Sequence, residues 1–375
     1  MSEFWSAFKR VLLMLLDRPL WLMLLVSLLI TSTVFIKQGV WDLPVAVVDQ
    51  DHTRFSRELV RSLDATPKIA MHSYSSLNEA KSDLAARKIF AIVILPKNLY
   101  DYALRGEAMT IPIYGDATSR LSSGQIQLDI MQTYAQLINQ FNVERLQGAG
   151  WSAEQAQVVA SPMQGQLVDL FNPGINFAAI VFPGLLVMLV QHTLLIASIR
   201  VRITLHNLPT GRPSFKVYLG SVSALLPIWM FLSIVLFVLW PWVLSYRQTA
   251  PIWEILVLTL PFLVAVLALG KFLSECLVKI EYMYLTLSLV TTPVFYLSGT
   301  IWPLQSMPDW VRFISQLLPS TWATKMIAGV NQMGISIYDI GYDVVMLLVL
   351  ALFYLALAFV IARFKVYYRA RRLMT

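Results

Sequence analysis

Six stretches of this chain are apolar over the roughly 17 or more residues that an α-helix needs to cross about 30 Å of hydrocarbon. They lie near Leu20 to Ile36, Phe177 to Ile199, Val217 to Leu244, Ile252 to Leu269, Met283 to Ile301 and Val344 to Ile361. Of the 375 residues 57% are hydrophobic and 14% charged, and the mean hydropathy of +0.63 lies outside the range of ordinary soluble domains. The expected fold is an α-helical membrane protein with six transmembrane helices.

The flanks orient these spans. Arg363, Lys365, Arg369, Arg371 and Arg372 follow the last run, while Arg200, Arg202, Arg212 and Lys216 join the second to the third with no acid among them. Such flanks remain cytoplasmic. An even number of spans then places both termini inside, in agreement with Lys9, Arg10 and Arg18. The formal net charge of +7 gathers beside apolar runs, so no nucleic-acid partner is expected. The one cysteine, Cys276, excludes an intrachain disulfide and a cysteine metal cluster. No small-residue cleavage site follows the first run, so no cleaved signal peptide is expected.

Residues 1–19 carry Phe4, Trp5, Phe8, Val11, Leu12 and Leu15 at helical spacing, with Glu3, Ser6, Lys9 and Arg10 mostly opposite. They read as an amphipathic helix in the inner interface or as an extension of the first span, residues 20–38. The first two spans are joined by about 140 residues, too long for a loop, so residues 39–170 are read as a domain. Its pattern is α/β: "VAVVD" (45–49), "KIAMHSY" (68–74) and "IFAIVILP" (89–96) read as strands. "HTRFSRELVRSL" (52–63) and "SLNEAKSDLAARK" (76–88) read as helices, the second with Ser76 and Glu79 spaced as a capping box,. A short helix ends at Gly106, "MTIPIYGDA" (109–117) is strand-like, and helices over Arg120 to Gln147 and after Ser152 are expected to form a stalk returning to the membrane. The topology makes this inserted domain extracytoplasmic. Asp49, Asp51 and Asp116 lack the compact spacing of a calcium loop and suit turns and helix caps instead.

Residues 171–375 hold the remaining spans. Within the spans Asp and Glu occur only near the ends, at Glu254, Glu275 and Glu281, which disfavours a proton-driven transporter. There is no P-loop, H-E-x-x-H or G-x-S-x-G, and His52, His72, His192 and His206 are scattered; no enzyme activity and no cofactor or metal bound by this chain are expected. Gln191 and His192 in the second span, and Ser288, Thr291, Thr292 and Ser298 in the fifth, suit either a substrate path or interhelical hydrogen bonds. Pro293 is expected to kink the fifth span.

Two segments carry a resemblance. "FNPGINFAAIVFPGLLVMLVQ" (171–191), with Asn172-Pro173 and Pro183-Gly184, resembles the segment by which type-2 ABC exporter permeases re-enter the membrane after a large extracytoplasmic domain. "YLSGTIWPLQSMPDWVRFISQLLPSTW" (296–322), with Ser298-Gly299, Pro303, Met307-Pro308 and Leu318-Pro319, resembles that family's segment after span five. "VAVVDQD" looks like the first strand of its domain, and the likeness runs through the whole chain in order.

The resemblance implies a re-entrant hairpin, about residues 303–333, built on Gly299, Pro303, Met307, Pro308, Trp310, Pro319 and Trp322. These prolines forbid one continuous span and the tryptophans favour the headgroup region, which an interfacial loop would equally satisfy. It implies a second permease, identical or paralogous, and a pair of ATPase subunits that bind ATP and magnesium. Related members often use a periplasmic adaptor and an outer-membrane channel to expel drug-like or lipid-like molecules. In place of the family's "RE-x-E-x-G-T" after span two stands "SIRVRITLHNLPTGRPSF" (198–215), echoed only by Arg200 and Thr204. Arg200, Arg202, His206, Pro209, Gly211 and Arg212 are accordingly the candidate ATPase-coupling loop. The rival reading is a membrane-embedded scaffold or sensor whose extracytoplasmic domain binds a ligand or an assembly partner; the cytoplasmic parts, short loops and a basic tail, disfavour it.

Overall fold

The computed structural model describes the chain apart from residues 18, 19, 38, 40, 119, 163–167, 169, 173–175, 207–213, 278, 279 and 373–375. Within helices it leaves undescribed the side chains of residues 20, 21, 23, 24, 120–122, 203, 204, 206, 280, 281, 283 and 366–372. The chain divides into a helical unit, Met1–Gln38 with Asp169–Thr375, and a second unit, Gly39–Val168. The helical unit begins with α1 (Ser2–Asp17) and α2 (Leu20–Thr33). Ala7, Val11 and Leu15 of α1 are buried, four residues apart and therefore on one helical face. The first apolar run ends early because Thr31, Ser32 and Thr33 hydroxyls bond back to carbonyls of their own helix and the chain then turns,.

The second unit contains β1 (Leu43–Asp49), α3 (Arg54–Asp64), β2 (Ile69–Ser73), α4 (Leu77–Ala85), β3 (Ala91–Leu95), α5 (Leu99–Arg105), β4 (Ile113–Gly115), α6 (Arg120–Gly148) and α7 (Ala153–Ala160). The strands form one sheet in the order β2-β1-β3-β4; β1 pairs parallel with β2 and β3, and β4 joins antiparallel. Because β1-to-β2 and β2-to-β3 run in opposite directions across the sheet, right-handed crossovers place α3 and α4 on opposite faces. The cores agree: Val45 and Val47 pack with Leu59 and Leu63 of α3, whereas Ala46 and Val48 pack with Ala80 of α4.

The acids after β1 build turns and caps. The Asp49 carboxylate accepts from the backbone N–H groups of Asp51 and His52 at 3.0 and 3.1 Å, and Asp51 accepts from the N–H of Leu99, opening α5, at 2.9 Å. Asp116 accepts from the backbone N–H of Thr118 at 2.8 Å. Thr53 and Ser56 form a reciprocal capping box on α3. The expected box on α4 is half present: Ser76 accepts from the Glu79 N–H at 3.2 Å, but the Glu79 carboxylate takes the Ser75 hydroxyl at 3.0 Å instead of returning. The strand expected over 109–117 shrinks to β4. The expected stalk is corrected: α6 buries Ile126 and Ile130 in the core shared with β1 and α3. Lys68 pairs with Asp129 at 3.2 Å, and Arg145 Nη1 donates to the Ala103 carbonyl at 3.1 Å. A stalk would leave those apolar groups in water.

The helical unit continues with α8 (Phe177–His206), α9 (Phe215–Ser223), α10 (Leu225–Ile234), α11 (Trp240–Val243), α12 (Ile252–Cys276), α13 (Ile280–Leu297), α14 (Asp309–Gln316), α15 (Pro319–Ala328) and α16 (Gly341–Arg372). A wide π-turn, Val235–Leu239, joins α10 to α11, and another, Gly329–Met333, follows α15. Among the described residues four stretches are long and apolar enough to cross a membrane: Phe177–Arg202, Phe215–Val243, Ile252–Cys276 and Gly341–Lys365. The first expected span appears as α2, which ends at Thr33, and the fifth as α13, which ends at Leu297. The latter is cut at Gly299, whose φ of +85° suits a residue without Cβ,. Pro293 stays inside α13. At the centre α12 packs against α8, α10, α15 and α16; between such helices packing and hydrogen bonds, not water exclusion, drive association in lipid.

Helix α1 docks on α9. A Cβ on Gly220 would stand 2.4 Å from the Phe4 carbonyl oxygen, and Ser214 Oγ donates to Glu3 at 3.2 Å. Gly220→Ala should therefore loosen α1, because overpacking against backbone costs about 1–3 kcal/mol and outweighs a helix-propensity gain of about 1 kcal/mol. Faster hydrogen exchange over Phe4 to Phe8 is the expected result; unchanged exchange would refute the contact.

Candidate functional site

Two clusters of interhelical polar contacts mark opposite ends of the helical unit. At the end where α8 begins, Asn176 accepts from the Ala178 N–H at 2.9 Å and its amide donates to the Leu244 carbonyl at 3.3 Å. Asn172 and Asn176 bond reciprocally, side chain to backbone, at 3.0 Å. Two turns on, Pro183 lies inside α8, so the Ala179 carbonyl four residues earlier has no N–H from its own helix. Gln332 supplies the donor, with Nε2 2.9 Å away. Pro241 withholds a donor in the same way beside the first π-turn, and the Phe237 carbonyl there receives Gln248 Nε2 at 3.3 Å and Asn331 Nδ2 at 3.4 Å. Thr249 Oγ1 lies 2.8 and 2.9 Å from the Val330 and Asn331 carbonyls. The second π-turn thus serves both proline-interrupted helices. Gly184 lets Thr300 approach closely: a Cβ would lie 1.7 Å from its Oγ1.

From this end α14 and α15 form a helical hairpin. Pro303 opens a short 3₁₀ turn, Met307 is buried, Pro308 precedes α14 and Pro319 opens α15. The two limbs differ sharply. On α14 Trp310 and Phe313 are 69% and 64% exposed, whereas α15 buries Pro319 through Thr324, Met326 and Ile327 against α8, α12 and α16. The bend between them is fixed by Thr321 Oγ1 on the Ser315 carbonyl at 2.7 Å, Trp322 Nε1 on Gln316 at 2.8 Å and Tyr354 OH on Leu317 at 2.6 Å. Ser315 Oγ reaches back to the Leu297 carbonyl at 2.6 Å, and Lys325 pairs with Asp343 at 2.8 Å.

At the opposite end Glu275, on α12, accepts from Lys271 at 2.9 Å and pairs with Arg202 of α8 at 3.4 Å. Its backbone carbonyl accepts from Lys365 of α16. Arg200 Nε lies 3.4 Å from the Tyr284 hydroxyl on α13. Two of the arginines singled out for ATPase docking, Arg200 and Arg202, therefore tie α8 to its neighbours. His206 ends α8 with its side chain undescribed, and Pro209, Gly211 and Arg212 lie outside the described residues. The sequence marks Glu275 only as a carboxylate near a span end; its spacing of four from Lys271 is the local signal of a partner.

Of the polar residues within the spans, His192 and Thr291 meet, Nδ1 to Oγ1 at 2.9 Å. The Thr291 hydroxyl is also within hydrogen-bond reach of the Leu287 carbonyl of its own helix, and the imidazole tautomer sets which partner donates across the His192–Thr291 contact. Gln191 is buried, Ser298 is buried with Oγ donating to Phe295 at 2.7 Å, and Ser288 and Thr292 are exposed. These four are not brought together with the His192–Thr291 pair by any hydrogen bond among the described residues.

Long apolar helices, clamped to one another by polar contacts at both ends, define a multi-pass helical membrane protein. A family model described as ABC-2 family transporter protein matches residues 9–360, and the chain belongs to that family, the membrane components of ABC-2 type transporters. It is similar to ABC transporter G family member 20 of Dictyostelium discoideum, 25% identical over 324 residues that cover 79% of this chain and 41% of the relative. The chain thus spans about two fifths of that relative's length.

Proposed function

We propose that this chain is the permease subunit of an ATP-driven exporter that moves a hydrophobic or amphipathic, drug-like or lipid-like molecule out of the cytoplasm or inner membrane. The observation that carries the reading is the match to one permease family across residues 9–360, spans and insert alike. In this reading six helices cross a bacterial inner membrane, α2 and α13 completing the set, with both termini cytoplasmic and α1 at the inner interface. Residues 39–170 face outward. Two permeases, identical or paralogous, sit on a pair of ATPase subunits that bind ATP and magnesium; an adaptor and an outer-membrane channel complete the route in a two-membrane cell. The segment 200–212 meets the ATPase, and the junction at Glu275 passes its movement to α12 and α16. The α14–α15 hairpin re-enters the outer leaflet, where buried non-spanning backbone is tolerated, and caps the pathway.

Co-purification with a soluble ATPase, followed by reconstitution and assay of substrate-stimulated ATP hydrolysis with outward transport, tests the reading. A chain that binds no ATPase would favour a scaffold. Topology has its own test. Cys276 is exposed at the end of α12 and should face the cytoplasm, so an impermeant maleimide should leave it unmodified in intact spheroplasts and label it after lysis. Equal labelling in both would overturn the orientation.

A further inference from the structure

Six buried side-chain atoms in the helical unit have no hydrogen-bond partner among the described residues: Gln191 Oε1, Trp229 Nε1, Ser233 Oγ, Ser320 Oγ, Thr324 Oγ1 and Asn331 Oδ1. All belong to residues at most 9% exposed; Asn331 lies in the π-turn after α15, and the other five come from three helices, α8, α10 and α15. Elsewhere in these spans buried hydroxyls donate to carbonyls of their own helix, as Thr193, Thr259, Ser274 and Ser298 do. Ser233, Ser320 and Thr324 forgo that bond.

The helix registers bring the five to similar depths. Helix α8 packs against α10 and α15 and runs antiparallel to both, as the contacts of Asn176 with Leu244 and of Gln332 with Ala179 require. Counting equal numbers of residues inward from those contacts puts Trp229 and Ser320 level with Gln191. Ser233 and Thr324 fall one turn nearer the contacts, and each π-turn shifts the count by about one residue. Left dry, five such atoms would forfeit free energy on the scale of a whole domain's net stability. Buried polar sites with several convergent donors and acceptors hold ordered water, and hydroxyl, amide and indole N–H together supply both kinds of group.

We infer that a small cluster of ordered water is bound in the seam where α8 meets α10 and α15, bridging these five side chains. Gln191 then serves this internal site and does not line the substrate path. X-ray hydroxyl-radical footprinting of the full chain in lipid nanodiscs tests it, because bound water generates the radical in place. Trp240 is the internal control: it is 8% exposed against 6% for Trp229, but its indole N–H is held by Ser32 at 2.7 Å. Trp229 should be oxidised about threefold faster or more than Trp240, and Gln191→Leu should remove most of that excess. Equal rates for the two tryptophans, or an excess untouched by Gln191→Leu, would overturn the inference. Should Gln191→Leu fail to reach the membrane, Ser320→Ala and Thr324→Val remove partners from α15 with little change of volume. A dry seam predicts that each raises Tm while Trp229 stays slow; the water site predicts a slower Trp229 than in the wild type and no gain in Tm.

Discussion

Gln332→Leu is expected to lower the stability of the protein by about 1–2 kcal/mol, and most of that loss should vanish when Pro183 is also replaced by alanine. Among the described residues the Ala179 carbonyl is met by Gln332 Nε2 at 2.9 Å, because the proline four residues later has no N–H to offer. A leucine in place of Gln332 leaves that carbonyl buried and unpaired. The Pro183→Ala substitution returns the missing N–H, so α8 satisfies its own carbonyl and the glutamine becomes dispensable. A double-mutant cycle on Tm or chemical denaturation in nanodiscs reads this as a coupling of about 0.6–1.7 kcal/mol, from the average to the maximum for polar contacts between membrane helices. Equal losses with and without Pro183→Ala would show that Gln332 acts through packing alone.

Glu275→Ala should cost about 1–3 kcal/mol, because it removes the one carboxylate shared by Lys271 and Arg202,. The figure sits below that of a fully buried pair: the Lys271 and Arg202 side chains remain 38% and 33% exposed, so solvent screens part of the interaction. The two partners should differ. Lys271 is an i,i+4 neighbour on the same helix, worth only about 0.2–0.5 kcal/mol, whereas Arg202 joins α8 to α12. Arg202→Ala should therefore reproduce most of the loss and Lys271→Ala little of it. Under the proposed function, Glu275→Ala would also weaken substrate-stimulated ATP hydrolysis by the partner. A variant with wild-type stability would mean that the junction is fully screened and holds nothing.

The apolar runs and the α/β alternation are legible in the sequence because both are local patterns. "VAVVD" and "IFAIVILP" become β1 and β3 in a sheet, and the second, third, fourth and sixth runs become long apolar helices. What escapes depends on distance in sequence. Nothing in the neighbourhood of Pro183 indicates that its freed carbonyl will be met by residue 332. Nor does the sequence near Arg202 name Glu275. The stalk expected of α6 fails for a different reason: Ile126, Ile130, Tyr134 and Leu137 stand on one face at helical spacing, but the many glutamines around them conceal an apolar stripe that packs on the sheet. Spans one and five end earlier than expected, at Thr33 and Leu297, because mean apolarity does not register a positive-φ glycine or three consecutive hydroxyl residues.

Asn331 and Gln332 are adjacent, yet they answer carbonyls on two different helices, and they do so from a π-turn. Successive residues on a helix point about 100° apart, so the pair works only in one rotational phase. Removing a single residue from 329–333 would return the turn to α-helical winding and swing both amides away together, even with every side chain chemically intact. The segment should therefore tolerate substitution at Val330 far better than any change in its length, and an insertion there would behave like the simultaneous loss of Asn331 and Gln332.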